Sequence, residues 1–301
     1  MKRFISFCLS LMLFITISHC KSDNGGAIDN EFKTIEDAFY KNKNWESYNL
    51  LVSHIKKRLD EYSDKPALKK EILLKGIKAA EAMRSYPDAL GFELNLVKDY
   101  PEDKELLDRT YHLGELYGGL DKREAMTVVM ASLKEHHGDT PAGAKAAKNL
   151  TSDFPGLEEY MLLLRQRVFN DSVTQNKTWI RTFVEASEAY ALANPEDKEK
   201  APVLLHQAAE ASRSMGAFDR ALMFYDWILD KYPNSSKASQ ALFLKAFTYD
   251  NNKKDIAKAR EYYNEFLKKY PNDEFADDTK FLLSNLGKSD EEILKQLTSK
   301  K

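Results

Sequence analysis

Apolar residues along this chain recur at the three-and-four spacing of a helix. Nowhere do apolar and polar residues alternate long enough to read as a strand. Ala221, Phe224, Tyr225 and Ile228 make one stripe; Ala259, Tyr263, Phe266 and Leu267 make its counterpart. Pro195, Pro233 and Pro271 stand 38 apart (233 − 195, 271 − 233), after helical stretches at 183–193, 218–231 and 256–269. Proline lacks an N–H and restricts the residue before it, so each helix ends there. Between His206 and Leu286 one pattern runs twice. It reads Ala209, Gly216, Phe218, Ala221, Tyr225, Tyr232-Pro233, then Ala246, Tyr249, Ala259, Tyr263, Tyr270-Pro271. Small alanines let two antiparallel helices approach, and the aromatics fill the space beside them.

The pattern extends upstream. Residues 31–62 read as two helices broken near Lys41–Asn44. Residues 66–101 repeat the later spacing, with Gly76, Ala89 and Tyr100-Pro101 matching Ala246, Ala259 and Tyr270-Pro271, and with Pro87 in the turn between the paired helices. Leu113-Gly114 and Tyr117 continue it; a second helix at 121–136 lacks the closing Tyr-Pro. Residues 156–193 are the least regular and read as a junction, with Asp171–Asn176 a polar turn between two helices. Gly287 is a helix stop. Ser289 to Glu292 reads as a capping box opening a last helix at 289–299.

From Ala209 to Pro233 the chain resembles a tetratricopeptide repeat, a helix-turn-helix unit of 34 residues. Ala209 matches the family's small position and Gly216 its turn glycine. Phe218, Ala221, Tyr225 and Pro233 match its aromatic, small, aromatic and proline positions. Ser212 stands where an aromatic is usual, and the 38-residue period is longer than the family's. The implied fold is all-α: a right-handed α-solenoid of tetratricopeptide-like antiparallel helix pairs from about 31 to 299, each pair burying its apolar face on its neighbours. The expected division is an N-terminal block over 31–155 and a C-terminal block with a terminal helix over 156–301.

In such solenoids the first helices of successive pairs line a concave surface that holds a segment of a partner. The helical frame places Asp108, Tyr111 and Glu115 on that face of one helix. His206, Glu210 and Arg213 fall there on a second, and Gln240, Phe243 and Phe247 on a third.

Composition agrees with long surface helices. Charged residues are 31% of the chain, while Gly (12) and Pro (9) are scarce. The first residues change the picture more. Lys2 and Arg3 precede a short apolar run, Phe4 to Ile17, too short for a membrane span of about 20 residues. It ends at Ile17-Ser18-His19-Cys20, which resembles a bacterial lipobox, with His19 where a small residue is usual. An ordinary secretory signal with an incidental Cys is the alternative. The expectation is a lipoprotein signal peptide at 1–19, lipidation at Cys20 and a flexible tether over 20–30 holding Gly25-Gly26. Cys8 lies inside the leader, so the mature chain has no pair for a disulfide and no cysteine metal site. Lys21 in place of Asp after the lipidated Cys implies the outer membrane. Loss of Lys2 and Arg3 takes the formal charge from −2 to −4, a poor match for nucleic acid.

Catalytic and metal signatures are thin. His136-His137 point about 100° apart on a helix and read as a favourable helix end. His54, His112 and His206 read as core-edge or groove residues. Asp273-Glu274 and Asp277-Asp278 suit a helix N-terminus, with no Gly-bearing loop for calcium. There is no phosphate loop, HExxH or G-x-S-x-G. Asp171-Ser172-Val173 resembles a bacterial O-glycan acceptor. No metal, cofactor or enzymatic role is expected.

The lipobox together with the repeats resembles outer-membrane assembly lipoproteins of the β-barrel assembly machine, and the repeats of the Tol–Pal system's periplasmic coordinator. The implied function is a membrane-anchored adaptor holding an envelope protein or peptide segment, facing periplasm or cell surface. The alternative is a surface lipoprotein capturing glycan or peptide for a transporter. Exposed tryptophan in a deep pocket would favour that alternative, yet Trp45, Trp179 and Trp227 read as helix-packing residues.

Overall fold

A computed structural model describes residues 28–169, 176–289, 291, 292 and 295. The expected signal peptide, Cys20 and most of the tether lie outside the described residues, as do 170–175, which include Asp171-Ser172-Val173. Among the described residues the chain is all-α, with no strand. The helices run α1 (Asn30–Lys41), α2 (Trp45–Glu61), α3 (Pro66–Ala82), α4 (Tyr86–Asp99), α5 (Leu106–Gly119), α6 (Arg123–His137) and α7 (Pro141–Ala147). They continue with α8 (Leu157–Phe169), α9 (Lys177–Ala193), α10 (Lys200–Ser214), α11 (Phe218–Lys231), α12 (Ala238–Phe247), α13 (Ile256–Lys269) and α14 (Ala276–Asn285). A π-helical turn, Thr248–Lys253, follows α12.

The Tyr-Pro signature works through both residues. Tyr100, Tyr232 and Tyr270 cap the C-termini of α4, α11 and α13, each returning its backbone N–H to the carbonyl four residues back. The Tyr100 hydroxyl then donates to the Pro66 carbonyl at 2.7 Å, and the Tyr232 hydroxyl to the Pro195 carbonyl at 3.3 Å. The closing residue of each of these pairs is thereby tied to the entry of its own first helix. Two residues beyond three of the prolines stands an Asp. Asp103, Asp197 and Asp273 accept the backbone N–H of Glu105, Glu199 and Phe275, short turns that lead into α5, α10 and α14.

Inside four of the pairs the turn passes through a left-handed residue: Arg84, Asp121 and Lys254 at φ 55°, Gly216 at φ 76°. Ser85, Lys122 and Ala217 donate to carbonyls five residues back; Asp255 donates to Tyr249, six back. The added residue is wound into the π turn, and it brings Ala246 into the register of Ala209. Both alanines are buried, as are Ala221 and Ala259 on the second helices. Gly114 is small for the same reason, since a Cβ there would lie 2.6 Å from the Met130 methyl group. Second-helix tyrosines also tie back to their first helices. Tyr225 donates to Glu210, and Tyr263 donates to Asp250 at 3.2 Å.

Successive helices pack in order from α1 to α6, and again from α9 to α14. Between these runs α7 lies against α6 and α5, while α8 lies against α9 and α6. The junction is made by α9, which packs on α6 and α10 together. Ile180, Phe183, Val184, Ala186, Ser187 and Ala189 to Ala193 are all buried. A helix buried on most of its circumference belongs to the centre of a fold.

Several expectations change. The block boundary at 155 does not interrupt the core, which runs as one cluster from Ile28 to Ala241. A second cluster begins at Leu242 and holds α12 to α14 together, sharing Leu229, Leu244 and Tyr249 with the first. Residues 28–30, counted with the tether, belong to the fold. Ile28 is buried, and Asp29 caps α1 through Phe32 N–H while pairing with Arg58 at 2.7 Å. Pro87 is the second residue of α4 and not a turn residue; its missing N–H is one the first helical turn leaves unused. Asn176 ends the expected polar turn by capping α9 through Thr178 N–H. Gly287 follows α14 at φ 83°. The capping box is present: Ser289 N–H donates to Glu292 at 2.8 Å, and Glu292 N–H to the Ser289 hydroxyl at 3.3 Å. The rest of the helix expected at 289–299 lies outside the described residues, apart from Glu291 and Lys295. No helix among the described residues is long and apolar enough to cross a membrane.

Candidate partner-binding groove

The structure brings together most of the site residues read on α10 and α12. Along α10, His206, Glu210 and Arg213 lie on one strip because they are spaced four and three apart. Glu210 takes the Tyr225 hydroxyl and, at 3.1 Å, the Arg213 guanidinium. Burial alone would raise the Glu210 carboxyl, but Arg213 and Tyr225 outweigh it and hold the group below its usual range. Arg213 reaches across to α12, where its guanidinium carbon stands 5.7 Å from the Phe247 ring centroid. Gln240 lies on the same helix and accepts from Lys237 at 2.9 Å. His206 packs its ring beside Tyr225, and burial lowers its pKa, opposed by the Glu210 charge and assisted by Lys237. Its Nε2 is buried and has no hydrogen-bond partner among the described residues. The result is a mixed strip across two helices: an ion pair, an aromatic face, an amide and an unused imidazole nitrogen.

Phe243 does not belong to this strip. It is 9% exposed and stacks on Phe275 at 4.8 Å while meeting Phe266 at 5.9 Å. The face read as groove at that position is the core of the terminal unit. Glu210 is also less free than the sequence suggested, since reversing its charge would strand a buried tyrosine hydroxyl.

The three residues on α5 form a separate patch. Asp108 and Glu115 are exposed. Tyr111 is half-buried, with the Lys145 ammonium of α7 at 5.7 Å from its ring, so α7 shares that face. No hydrogen bond or ion pair among the described residues links this patch to the strip on α10 and α12.

The neighbouring position, His112, holds the more pronounced arrangement. Its Nε2 meets Glu81 at 3.0 Å and its Nδ1 meets Glu93 at 3.1 Å. Glu93 is fully buried, and Arg109 approaches it at 3.9 Å. The hydrogen bond that His112 donates to Glu93 raises the His112 pKa against the opposing effect of burial. Lys237 and the His112 cluster were not found by sequence reasoning, because both depend on which residues of other helices face them. His136, at the end of α6, bonds Asn194 at 2.6 Å.

The tryptophans divide. Trp45 is 57% exposed and packs edge-on against Tyr48 at 5.5 Å. Trp179 lies under the Arg167 guanidinium at 4.6 Å. Trp227 is 8% exposed with Lys98 above its ring. None of the three offers a bare ring face inside a cavity.

A family model, the tetratricopeptide repeat, matches residues 240–273. That span covers α12, the π turn and α13, the later of the two copies read from the sequence. No curated protein matches the chain. Among solved structures, the TPR2AB-domain:pHSP90-complex of yeast Sti1 is 18% identical, covering 84% of this chain and 96% of that one, with a TM-score of 0.33. A superposition that loose carries neither residues nor partners across. Residues 240–273 are thus similar to a tetratricopeptide repeat, and they sit within an all-α solenoid that spans the described chain.

Proposed function

We propose that this chain is a lipid-anchored, non-catalytic adaptor of the bacterial envelope, holding a segment of a partner protein against α10 and α12. One observation carries the reading: two neighbouring first helices present Arg213, Lys237, Gln240 and Phe247 as one strip, beside a buried His206 nitrogen with no partner among the described residues. Such a strip can meet main-chain amides, a carboxylate and an apolar side chain together, which a protein segment supplies. The envelope setting is supported by the sequence: the basic start, the short apolar run and Cys20, the sole cysteine after the leader. A part in outer-membrane protein assembly or envelope maintenance extends the resemblance named above.

The test is a photo-crosslinking residue at Gln240, with Glu115 as a second position, in cells carrying the natural membrane. Capture of one defined envelope protein at Gln240, weakened by Lys237→Glu, is the expected result. A chain that captures nothing there and instead binds an oligosaccharide as a monomer would favour the nutrient-capture reading and overturn this one. Mass spectrometry of the native N-terminus reads the anchor separately: the expected mature chain starts at an acylated Cys20, and any other start removes the lipoprotein assignment.

A further inference from the structure

The two most exposed large apolar side chains among the described residues both lie on α2: Trp45 at 57% and Leu50 at 50%. One side of this helix is committed to the core through Tyr48, Leu51, Val52, Ile55 and Arg58. The outward side carries Leu50 with exposed Asn49, Ser53, Lys56 and Lys57. Trp45 opens the helix at the edge of that side, just after exposed Lys41 and Lys43 of the preceding turn.

Four cations thus accompany two apolar groups. Lys57 is only loosely engaged, with Glu61 at 3.9 Å, and Glu61 is held more closely by Arg58 at 2.7 Å. Glu46 and Asp60 are the exposed anions at the two ends. Four cations against these two anions leave the face positive by two, in a chain that carries −4 without its first 19 residues. An acidic chain is repelled by an anionic surface unless it presents a basic face to it.

The place of this face in the chain selects its occupant. The Arg58 guanidinium donates to Asp29 at 2.7 Å, and the Tyr62 hydroxyl donates to Asp29 at 3.3 Å. Residue 29 is thereby fixed at the C-terminal end of α2. Cys20 precedes Ile28 by eight residues (28 − 20), so the two are at most about 27 Å apart. Helix α2, at 17 residues, is about 25 Å long. A lipid on Cys20 therefore keeps the bilayer within reach of the whole outward side of α2. A tryptophan and a leucine set among lysines suit the headgroup layer, and anionic lipids attract the lysines.

We propose that the outward side of α2 is a membrane-surface contact, resting on anionic phospholipid beside the Cys20 anchor. The proposal rests on the lipid-anchor reading. A single anchor leaves the fold free to rotate over the bilayer, and this second contact fixes one face against it. The contact uses none of the groove strip on α10 and α12.

The test supplies the anchor chemically. The unacylated chain from Cys20 onward retains every described residue and a single thiol. That thiol is coupled to a maleimide-headgroup phospholipid in phosphatidylethanolamine–phosphatidylglycerol vesicles containing brominated acyl chains, which quench tryptophan at the bilayer surface. The expected result is quenched, blue-shifted emission that disappears in Trp45→Phe. Two double variants keep the reporter: Leu50→Asp with Lys56→Glu, and Lys41→Glu with Lys43→Glu. Quenching should be lost in both. Leu162→Asp, at an exposed apolar position on α8, should leave it unchanged. Helicity should be the same throughout, because every substituted side chain is exposed. No quenching in the coupled natural chain, quenching that survives either double variant, or a Leu50-dependent dimer in solution without quenching would overturn the proposal. A failure of native lipidation registers only in the mass spectrum of the N-terminus, whereas a failure of the α2 contact registers only in the quenching.

Discussion

His112 is clamped between Glu81 and Glu93, so its charge is coupled to folding. Its folded pKa is raised above an unfolded value of about 6.5. The contribution is therefore fully present below pH ~6.5 and is lost as pH rises through the folded pKa. Urea midpoints should fall more steeply above that pH in the natural chain than in His112→Gln. Parallel curves would mean the clamp carries no stability. His206 has a lowered pKa and acts with the opposite sign, so the comparison with His112→Gln is the informative one. Backbone conformation makes a second prediction at this scale. Gly216 adopts φ 76° with open space around it, so Gly216→Ala carries only a conformational cost, about 1 kcal/mol. Lys254 already sits at φ 55°, and Lys254→Gly should gain up to about 1 kcal/mol once glycine's own entropy is discounted. Equal melting of Lys254→Gly and the natural chain would show that the π turn relieves the strain. Gly216 was legible in the sequence because glycine advertises a left-handed turn. Arg84, Asp121 and Lys254 occupy the same position without any such mark. The His112 clamp was illegible because its partners come from two other helices.

Helix ends were read more securely than helix faces. A proline at a fixed period stops a helix whatever surrounds it, and α9, α11 and α13 end where the periodicity predicts. Faces depend on register, and Phe243 shows the consequence. Taken as groove from its place in the helical frame, it lies instead against Phe266 and Phe275. The close approach inside a pair was legible from small residues alone. Ala221 and Ala259 have no exposed surface, so Ala221→Trp or Ala259→Trp should overpack the contact by about 1–3 kcal/mol. Unchanged chemical denaturation of both would place these alanines elsewhere. The loops between pairs offer a constructive test. Asp103, Asp197 and Asp273 each hold a backbone N–H two residues on, while Ser235, two residues past Pro233, keeps a buried hydroxyl without a partner among the described residues. Asp273→Ala should cost about 0.5–1.5 kcal/mol, the net value of one hydrogen bond. Ser235→Asp should recover part of that amount at its own turn, read as a rise in thermal midpoint.

Repeat solenoids gain stability from each unit and each interface between neighbours, so their ends loosen before their centres. Here the two apolar clusters meet between Ala241 and Leu242, and α9 ties α6 to α10 at the centre. The sequence showed the irregular stretch at 156–193 but not its meaning. Low regularity looked like a boundary, whereas α9 is irregular because it must be buried against both α6 and α10. Two buried phenylalanines separate the central and terminal units. Phe266 lies wholly within the terminal cluster and Phe183 on α9, and truncation of either leaves a cavity costing about 3–5 kcal/mol. In Phe266→Ala the amides of α12 and α13 should exchange faster while those of α6, α9 and α10 keep their protection. In Phe183→Ala protection should fall together in α6, α9 and α10, because one helix holds both runs of the solenoid. Hydrogen exchange followed helix by helix distinguishes the cases. If Phe266→Ala accelerates exchange in α6 as much as in α13, the chain unfolds as a single unit and the seam at Leu242 has no energetic meaning.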